Sequence, residues 1–393
     1  MVAGLHRRYR LWLLDSIAPT WQSPYLVGST LVDTRDPVAL AEAAAGIPGQ
    51  HGRLAGMLSY DEWSVEATAQ AAERLKLVTS APSAITACRD KATTRAVLRA
   101  AGVPQPESVP VSTVDDAQAA AERLGYPVVV KARRLAGSIG VVRVDNSEAL
   151  RQAYRNVDAV RFPGVVRDGS DVLVEQYLDG PEVSVDSVVV DGVVSPLVLA
   201  RKQIGMDPYF EETGHVVDAA DPLLNDETLR DHLSRVHAGL GITHGMTHTE
   251  FRLTPQGPRL VEVNARLGGD FIPYLGQLAT GIDLTAVAGA VATGAAPDLT
   301  PTTRRVAAIR FLYPPHDCQV LDVTVHDARM TPSMHAAVAT ATAGQEMALP
   351  PRGYMSRYGH LIAVADTVEQ ARAVLDLAPH VIELHHKRLE REK

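Results

Sequence analysis

The chain of 393 residues contains few cysteines, few aromatic residues and no long hydrophobic run. Cys88 and Cys318 stand alone, without the spacing of a metal site, and such sparse cysteine is typical of a reduced cytoplasmic setting. No apolar stretch approaches the length that crosses a bilayer. The net charge of −8 gives no electrostatic reason to expect a nucleic acid or an anionic membrane as partner. The length suffices for two or three domains with their own cores.

Two common nucleotide-binding loops are also absent, because the chain contains neither GxxxxGK followed by Ser or Thr nor GxGxxG. Instead, Lys131 ends an apolar, strand-like segment, and a loop of small residues follows at 136–140. Small residues let backbone N–H groups approach phosphate oxygens, and the lysine adds positive charge. Taken alone, a plain hairpin with two glycines explains this segment more simply.

The most informative segment is a predicted β-hairpin. Two runs of alternating residues, 247–253 and 259–264, flank a turn that contains Pro255, Gly257 and Pro258. We place Leu253 opposite Arg259, and this choice fixes the register of every other pair in the hairpin.

In this register Glu250 faces Glu262, and His248 faces Asn264. Two carboxylates directly opposed on one face of a sheet repel each other unless a divalent cation lies between them. Mg²⁺ suits that place because it takes carboxylate oxygens and leaves positions free for substrate phosphates. The alternative is an exposed acidic pair on an edge hairpin, and a slip of one residue would put the carboxylates on opposite faces.

A second segment, 174–182, combines a strand end, a turn and the start of another strand. Backbone groups of Gln176 and Leu178 could read an adenine edge, and the Glu182 carboxylate could accept hydrogen bonds from ribose hydroxyls. Solvated acids beside an ordinary turn explain the segment equally well when it is considered alone.

Two further sets of polar residues could contact a substrate. Arg266 precedes Gly268 and Gly269, and a guanidinium beside a metal site would stabilise charge on a transferring phosphoryl group. Otherwise it is a surface arginine before a turn. Glu212 and His215, three residues apart, are by themselves more typical of a surface than of a ligand site.

Taken together, these segments resemble the ATP-grasp superfamily over about residues 84–293. The elements occur in the order of that superfamily: Lys91, Lys131 with its glycine–serine loop, Glu175 to Glu182, Glu250, and Glu262-x-Asn264-x-Arg266. Within the superfamily, His248-Thr249-Glu250, the string from Glu262 to Gly269 and Glu212-x-x-His215 resemble the L-amino-acid ligases, which make dipeptides and include enzymes of antibiotic pathways.

The resemblance implies an ATP-grasp fold of mixed α/β and α+β class. Residues 1–84 would form an N-terminal α/β domain with a parallel sheet. Residues 85–296 would form the ATP-grasp region, with a mobile lid at about 112–177 and a central lobe for nucleotide and Mg²⁺. Residues 297–393 would form a C-terminal α+β subdomain.

The resemblance also implies roles for the nucleotide and metal residues. Lys91 and Lys131 would bind phosphates, and Ser138 would cover them from the lid. The adenine would lie against Glu175, Gln176 and the backbone of Leu178, with Glu182 on the ribose. One or two Mg²⁺ ions, with Mn²⁺ as an alternative, would be held by Glu250, Glu262 and Asn264.

On the substrate side, Arg266 would stabilise the acyl phosphate and the tetrahedral intermediate. The first amino acid would contact Glu212, His215, Gly268 and Gly269. The next residue limits the substrate side chain in that family and is often bulky there; here it is Asp270, and we hypothesise a polar or cationic first substrate. Either Glu212 or His215 could be the general base.

The resemblance predicts an ATP-dependent ligase that joins two amino acids, or an amino acid and a small amine, and releases ADP and phosphate. It leaves a homodimer open, because ATP-grasp ligases often dimerise. Two alternatives are an ATP-grasp ligase or carboxylase of the purine or biotin-carboxylase type, and a non-catalytic nucleotide-binding module.

Overall fold

The N-terminal region is a small α/β layer in the computed structural model, which describes residues 1–47, 49, 52–161 and 169–390. Its two strands pair in parallel, as the sequence predicted. The elements are α1 (Val2–His6), β1 (Leu11–Asp15), β2 (Leu26–Leu31), α2 (Pro37–Ala45) and α3 (Val65–Arg74). A small apolar core joins α2 to α3 through Leu40 and Ala71.

Two helices follow, α4 (Pro82–Arg89) and α5 (Lys91–Ala100), and the break between them positions a lysine. Asp90 has an extended backbone, and its carboxylate accepts hydrogen bonds from the first amides of α5. An N-cap of this kind begins a new helix and turns the chain. Lys91 is therefore the first residue of α5 and projects into the central cavity.

The next unit is a four-stranded antiparallel sheet in the order β3-β6-β4-β5. Its elements are β3 (Ser108–Val111), α6 (Val114–Leu124), β4 (Val128–Ala132), β5 (Val141–Val144), α7 (Ser147–Ala159) and β6 (Val172–Gln176). Alanines and valines of both helices pack on one face of this sheet. The lid expected at about 112–177 covers most of this unit, without β3, and stays a prediction. Residues 162–168 lie outside the described residues.

The largest sheet has eight antiparallel strands in the order β11-β10-β7-β8-β9-β12-β16-β14. Its first five strands in the chain are β7 (Glu182–Val190), β8 (Val193–Gly205), β9 (Glu211–Asp218), β10 (Gly245–Thr254) and β11 (Gly257–Asn264). Three helices accompany them: α8 (Glu227–Leu240), α9 (Ile272–Thr280) and α10 (Leu284–Ala292). Apolar side chains of α9 and α10 form one core against this sheet, and those of α8 form another.

The C-terminal segment continues the same sheet and adds a smaller one in the order β15-β13-β17. Its elements are β12 (Val306–Leu312), β13 (Cys318–Val325), β14 (Met334–Ala339), β15 (Glu346–Met347), β16 (Gly359–Ala365), α11 (Val368–Leu375), α12 (Ala378–Val381) and β17 (Ile382–Arg388). Residues 391–393 of the expected 297–393 subdomain lie outside the described residues. Because β12 pairs with β9, this segment is joined directly to the central lobe.

The hairpin of β10 and β11 has the predicted pairs at its base and a different register at its tip. Glu250 pairs with Glu262 and His248 pairs with Asn264, as predicted. Leu253, however, pairs with Pro258 rather than with Arg259, so the predicted tip is wrong by one residue. A β-bulge beyond Glu250 inserts one extra residue on β11 and restores the predicted register at the carboxylates.

Within the described part of the chain, no single helix has both the length and the apolar character needed to cross a bilayer. The helices α9 and α10 meet both conditions only as a pair, and they are bent by 107° with respect to each other.

Candidate active site

A cavity of about 350 Å³ lies between the four-stranded unit and the central sheet. Most of the residues predicted from the sequence line it: Lys91, Lys131, Ser138, Glu175, Gln176, Leu178, Glu182, Glu212, Glu250, Glu262, Asn264, Arg266, Gly269 and Asp270. His215 and Gly268 do not line the cavity, because His215 is fully buried behind its wall and Gly268 packs against the His248 ring.

The oxygen-rich centre of the cavity is the base of the β10–β11 hairpin. Glu250 accepts hydrogen bonds from the Lys202 ammonium at 2.6 Å and from the His248 ring at 3.2 Å, and Glu262 lies 3.2 Å from Lys91. The Oδ1 atom of Asn264 is buried and has no hydrogen-bond partner among the described residues. Two carboxylates and an unpartnered amide oxygen form a ligand set that Mg²⁺ accepts, so these residues fit the predicted metal.

Neighbouring cations keep the Glu250 carboxylate ionised. Burial alone would raise its pKa, but Lys202 and His248 hold the pKa of Glu250 well below its usual range. Asp186 on β7 supports this arrangement from behind, because its carboxylate lies 2.6 Å from Nδ1 of His248 and raises the pKa of that imidazole to about 9, although burial alone would lower it.

Lys202 on β8 is the main cation that the sequence analysis missed. Its side chain is 1% exposed, and its ammonium lies 3.2 Å from Glu182, 2.8 Å from Glu212 and 2.6 Å from Glu250. Although burial opposes the charge, these carboxylates raise the pKa of Lys202 well above its usual value. The local signal for Lys202 is a basic residue near the end of the apolar run Leu197–Ala200. Lys131 also ends an apolar run, but it was selected together with the glycine–serine loop that follows it.

At the end of the cavity next to the four-stranded sheet, Glu175 connects two cations. Its carboxylate accepts a hydrogen bond from Arg95 at 2.8 Å and lies 2.6 Å from Nζ of Lys131. Although burial alone would raise it, Arg95 and Lys131 lower the pKa of Glu175 to about 2. Both oxygens of Glu175 therefore have cationic partners. The sequence analysis predicted an adenine contact for Glu175 and did not predict these partners.

The loop between β4 and β5 and the turn after β6 complete this end. Ser138 has a φ of +57°, in the left-handed region that non-glycine residues seldom adopt, between the two glycines of the loop. Glu182, expected on the ribose, lies 2.8 Å from the Nε atom of Arg252 as well as close to Lys202. Tyr177 and Phe210 stack beside it with ring centroids 6.5 Å apart.

Arg266 is fixed by a carboxylate from the N-terminal region. Glu62 accepts hydrogen bonds from both Arg266 and Arg89, and Arg266 also donates to the Leu267 carbonyl at 2.7 Å. Burial raises the pKa of Glu62, but the two guanidinium groups outweigh it and lower that pKa. Glu62 was not among the predicted site residues, and it lies 204 positions from Arg266 in the chain.

Glu212, His215 and Asp270 form one cluster at the opposite end of the cavity, with donor atoms within 4.8 Å of one another. The Nε2 atom of His215 lies 3.1 Å from Glu212 and 3.7 Å from Asp270, without the alignment of a hydrogen bond. Burial lowers the pKa of His215, but Asp270 and Glu212 raise it overall. The sequence therefore identified three side chains that the fold brings together.

A C-terminal arginine closes this end of the cavity. Arg357 donates two hydrogen bonds to Asp270, at 2.7 and 2.6 Å, and stacks on Phe311 at 3.7 Å. Asp270 itself has a φ of +51°, so a strained backbone presents its carboxylate to Arg357. No sequence signal joined these two residues, which are separated by 87 positions.

Two family models match parts of the chain. Residues 124–273 match the family model of the ATP-grasp domain. The chain carries an ATP-grasp domain. Beyond this ATP-grasp domain, residues 310–385 match the L-amino acid ligase C-terminal domain 2.

Among the relatives of this chain, alanine–anticapsin ligase of Bacillus subtilis is 28% identical over 261 residues. The match covers 59% of this chain and 54% of that ligase, so the chain spans about half the length of that relative.

Two solved structures share the fold. The L-amino acid ligase from Bacillus licheniformis has a TM-score of 0.78 at 22% identity and covers 96% of this chain and 93% of its own. The second structure is the biotin carboxylase domain of the Hydrogenobacter thermophilus 2-oxoglutarate carboxylase, solved with MgADP. It has a TM-score of 0.70 at 18% identity and covers 98% of this chain and 88% of its own.

Proposed function

We propose that this protein is an ATP-dependent carboxylate–amine ligase that joins two amino acids, or an amino acid and a small amine. The observation that carries the proposal is a single cavity that contains both a possible metal site and a possible amino-acid site. Glu250, Glu262 and the unpartnered oxygen of Asn264 line its centre, and Glu212 and Asp270 line the end where an amino acid would bind. The C-terminal match to L-amino acid ligases supports the same assignment.

The reaction has two steps. An oxygen of the first substrate's carboxylate attacks the γ-phosphorus of ATP, which releases ADP and leaves an acyl phosphate. The amine then attacks the acyl carbon, a proton leaves the nitrogen, and phosphate departs with the carboxylate oxygen. Such chemistry depends on positioning and charge neutralisation more than on a covalent enzyme intermediate, and exclusion of water protects the acyl phosphate from hydrolysis.

The metal site would be formed by Glu250, Glu262 and Asn264, which would hold one or two Mg²⁺ ions, with Mn²⁺ as an alternative. A bound divalent cation would neutralise charge on the phosphates. Lys202 and His248 keep Glu250 in place and ionised for this purpose.

The nucleotide would lie along the lid. Its phosphates would contact Lys91, Lys131 and the Ser138 loop. The adenine would lie against the Gln176–Leu178 segment, Glu175 would orient Lys131, and Glu182 would bind the ribose. The ion pairs of Glu175 with Arg95 and Lys131 support a place beside the phosphate-binding lysine.

Arg266 would stabilise the acyl phosphate and the tetrahedral intermediate, with Glu62 fixing its orientation. Glu212 would contact the first amino acid, with His215 behind the cavity wall next to the Glu212 carboxylate and Gly269 beside the acyl group of the substrate. Glu212 and His215 are the candidates for the base that takes the proton from the amine.

The competing enzyme classes differ in the amine or carboxylate they use. Purine-pathway ligases and biotin carboxylases share the metal and arginine residues, but the Glu212–His215 pair and the C-terminal domain favour amino acids. A non-catalytic nucleotide-binding module is disfavoured because Lys131 and all three metal side chains are present in the cavity.

We also propose the cytoplasm as the location and retain a homodimer as an expectation of the resemblance.

The direct test is a phosphate-release screen of all amino-acid pairs with Mg·ATP, followed by mass spectrometry. We expect phosphate release that requires a pair of amino acids and a product of the mass of a dipeptide. Release that depends on bicarbonate or a sugar-phosphate amine instead would favour the other enzyme classes.

A further inference from the structure

Glu211 is a buried carboxylate of the cavity wall that the proposed mechanism does not use. The residue is 1% exposed and lines the cavity at the amino-acid end. Its Oε2 atom accepts hydrogen bonds from the Tyr313 hydroxyl at 2.8 Å and from the Met355 amide at 3.1 Å. Its Oε1 atom is buried and has no hydrogen-bond partner among the described residues. A buried carboxylate oxygen without a donor is costly unless a ligand supplies one.

The nearby cations are directed at other groups. Arg357 donates to Asp270, to the Tyr313 hydroxyl and to the backbone carbonyl of Glu212. His215 lies next to Glu212 and Asp270. No ion pair of Glu211 is found in the described ranges, 1–161 and 169–390 with their small gap near residue 50.

The charges at this end of the cavity therefore do not balance. Three carboxylates, Glu211, Glu212 and Asp270, lie near one guanidinium, that of Arg357, and one imidazole, that of His215. Lys202 lies 2.8 Å from Glu212 and also pairs with Glu182 and Glu250, so it supplies no charge for Glu211. An α-ammonium held at Glu212 would still leave the Oε1 atom of Glu211 without a donor.

We infer that Glu211 receives the side-chain ammonium of the first amino acid, so that the enzyme selects a diamino acid as its carboxylate donor. The inference rests on the proposed function, in which the first amino acid binds at Glu212, here through its α-ammonium. The earlier hypothesis of a cationic first substrate relied on Asp270, but Arg357 already neutralises that carboxylate. Glu211 is the neighbouring carboxylate that has an oxygen still available.

The selection follows from the cost of an unmatched buried group. A side-chain ammonium would donate to Oε1 of Glu211, whereas a methyl group of the same size would leave that carboxylate buried and unpaired. Sites built to hydrogen-bond a substrate group reject analogues that lack it far more strongly than apolar pockets reject an extra methylene.

The test compares matched donors in the Mg·ATP-dependent phosphate-release assay with one fixed acceptor. The pairs are 2,4-diaminobutyrate with norvaline and ornithine with norleucine, which differ only in a terminal ammonium against a methyl. For the intact protein we expect kcat/KM to be at least about tenfold higher for the diamino acid of one pair. In Glu211→Gln, which keeps an acceptor for Tyr313 and Met355, this preference should disappear while turnover of the uncharged donor stays within about threefold.

The matched control is Glu227→Gln, an exposed residue of α8, which should keep the preference of the intact protein. Equal turnover of both members of each pair by the intact protein would overturn the inference and leave the proposed function standing. A preference for the diamino acid that persists in Glu211→Gln would also overturn the inference and leave the proposed function standing. The absence of turnover with every pair of amino acids would overturn both.

Discussion

Single residues in this site act through buried charges that neutralise one another. Lys202 pairs with Glu182, Glu212 and Glu250, so one ammonium joins the parts of the cavity that we propose for ribose, amino acid and metal. Removing one partner of a buried ion pair leaves the others unpaired in a poorly solvated environment.

Replacement of this lysine should therefore destabilise the fold. We expect Lys202→Met to lower the free energy of unfolding by about 3–5 kcal/mol, because three carboxylates lose their shared counter-ion. Urea denaturation measures the change, with the exposed Lys387→Met as control. An unfolding free energy equal to that of the control would contradict the role assigned to Lys202.

A metal carboxylate should affect turnover rather than the fold. We expect Glu262→Gln to lower kcat by at least about a hundredfold, because a neutral amide is a weaker ligand for a divalent cation. The melting temperature should stay close to that of the intact protein, since Glu262 is a partly exposed side chain whose ion pair is with Lys91. Retained turnover with amino acids would show that this carboxylate holds no essential metal.

At this scale the sequence predicted residues whose partners are near in the chain. Glu250, Glu262 and Asn264 followed from the alternation of one hairpin. Arg357 and Glu62 could not be predicted, because their partners Asp270 and Arg266 are brought to them only by the tertiary fold.

Secondary-structure elements place these residues through small irregularities. The bulge on β11 is the reason why the predicted carboxylate pair is correct although the predicted tip is not. Bulges have no clear signature in a single sequence, so a register counted from the turn can be wrong locally. The Asp90 break between α4 and α5 is more readable, because an aspartate before a helical run is a typical N-cap.

The contact between α8 and β10 should make the stability depend on pH. His237 is buried, and Nδ1 and Nε2 lie within hydrogen-bond distance of the Leu233 carbonyl and the Thr247 hydroxyl. Burial lowers the pKa of His237 to about 4. The unfolded chain therefore binds a proton that the folded chain excludes, so stability is complete above about pH 6.5 and falls as the pH decreases toward 4.

A variant without this imidazole isolates the effect. Between pH 7 and pH 5, we expect the unfolding free energy of the intact protein to decrease by about 2 kcal/mol more than that of His237→Gln. Urea denaturation at the two pH values measures this, and the exposed His385→Gln should behave as the intact protein does. Parallel pH dependence of His237→Gln and the intact protein would rule out a buried neutral imidazole.

The whole molecule is organised around one sheet that crosses the boundary expected at residues 296 and 297. The β9–β12 ladder joins the ATP-grasp region to the C-terminal segment, and Arg357 from that segment reaches Asp270 in the cavity. The division of the chain into three units stays a prediction of the resemblance. The resemblance could not predict this continuity, because strand pairing between distant segments leaves no local pattern.

Removal of the C-terminal segment should therefore disrupt more than substrate binding. We expect a chain of residues 1–296 to lose cooperative unfolding, because β9 would become an exposed edge and Ile309 and Phe311 would leave the core behind α9. Near-UV circular dichroism and thermal unfolding test this. A sharp unfolding transition in the truncated chain would show that the boundary separates independent units.

The central claim is that a substrate carboxylate is activated as an acyl phosphate in this cavity. The measurement is the mass of inorganic phosphate released from Mg·ATP when the donor amino acid carries ¹⁸O in its carboxylate. We predict one ¹⁸O atom in each phosphate released, because the carboxylate oxygen that attacks phosphorus leaves with it when the amine enters. Unlabelled phosphate accompanying a joined product would contradict the account.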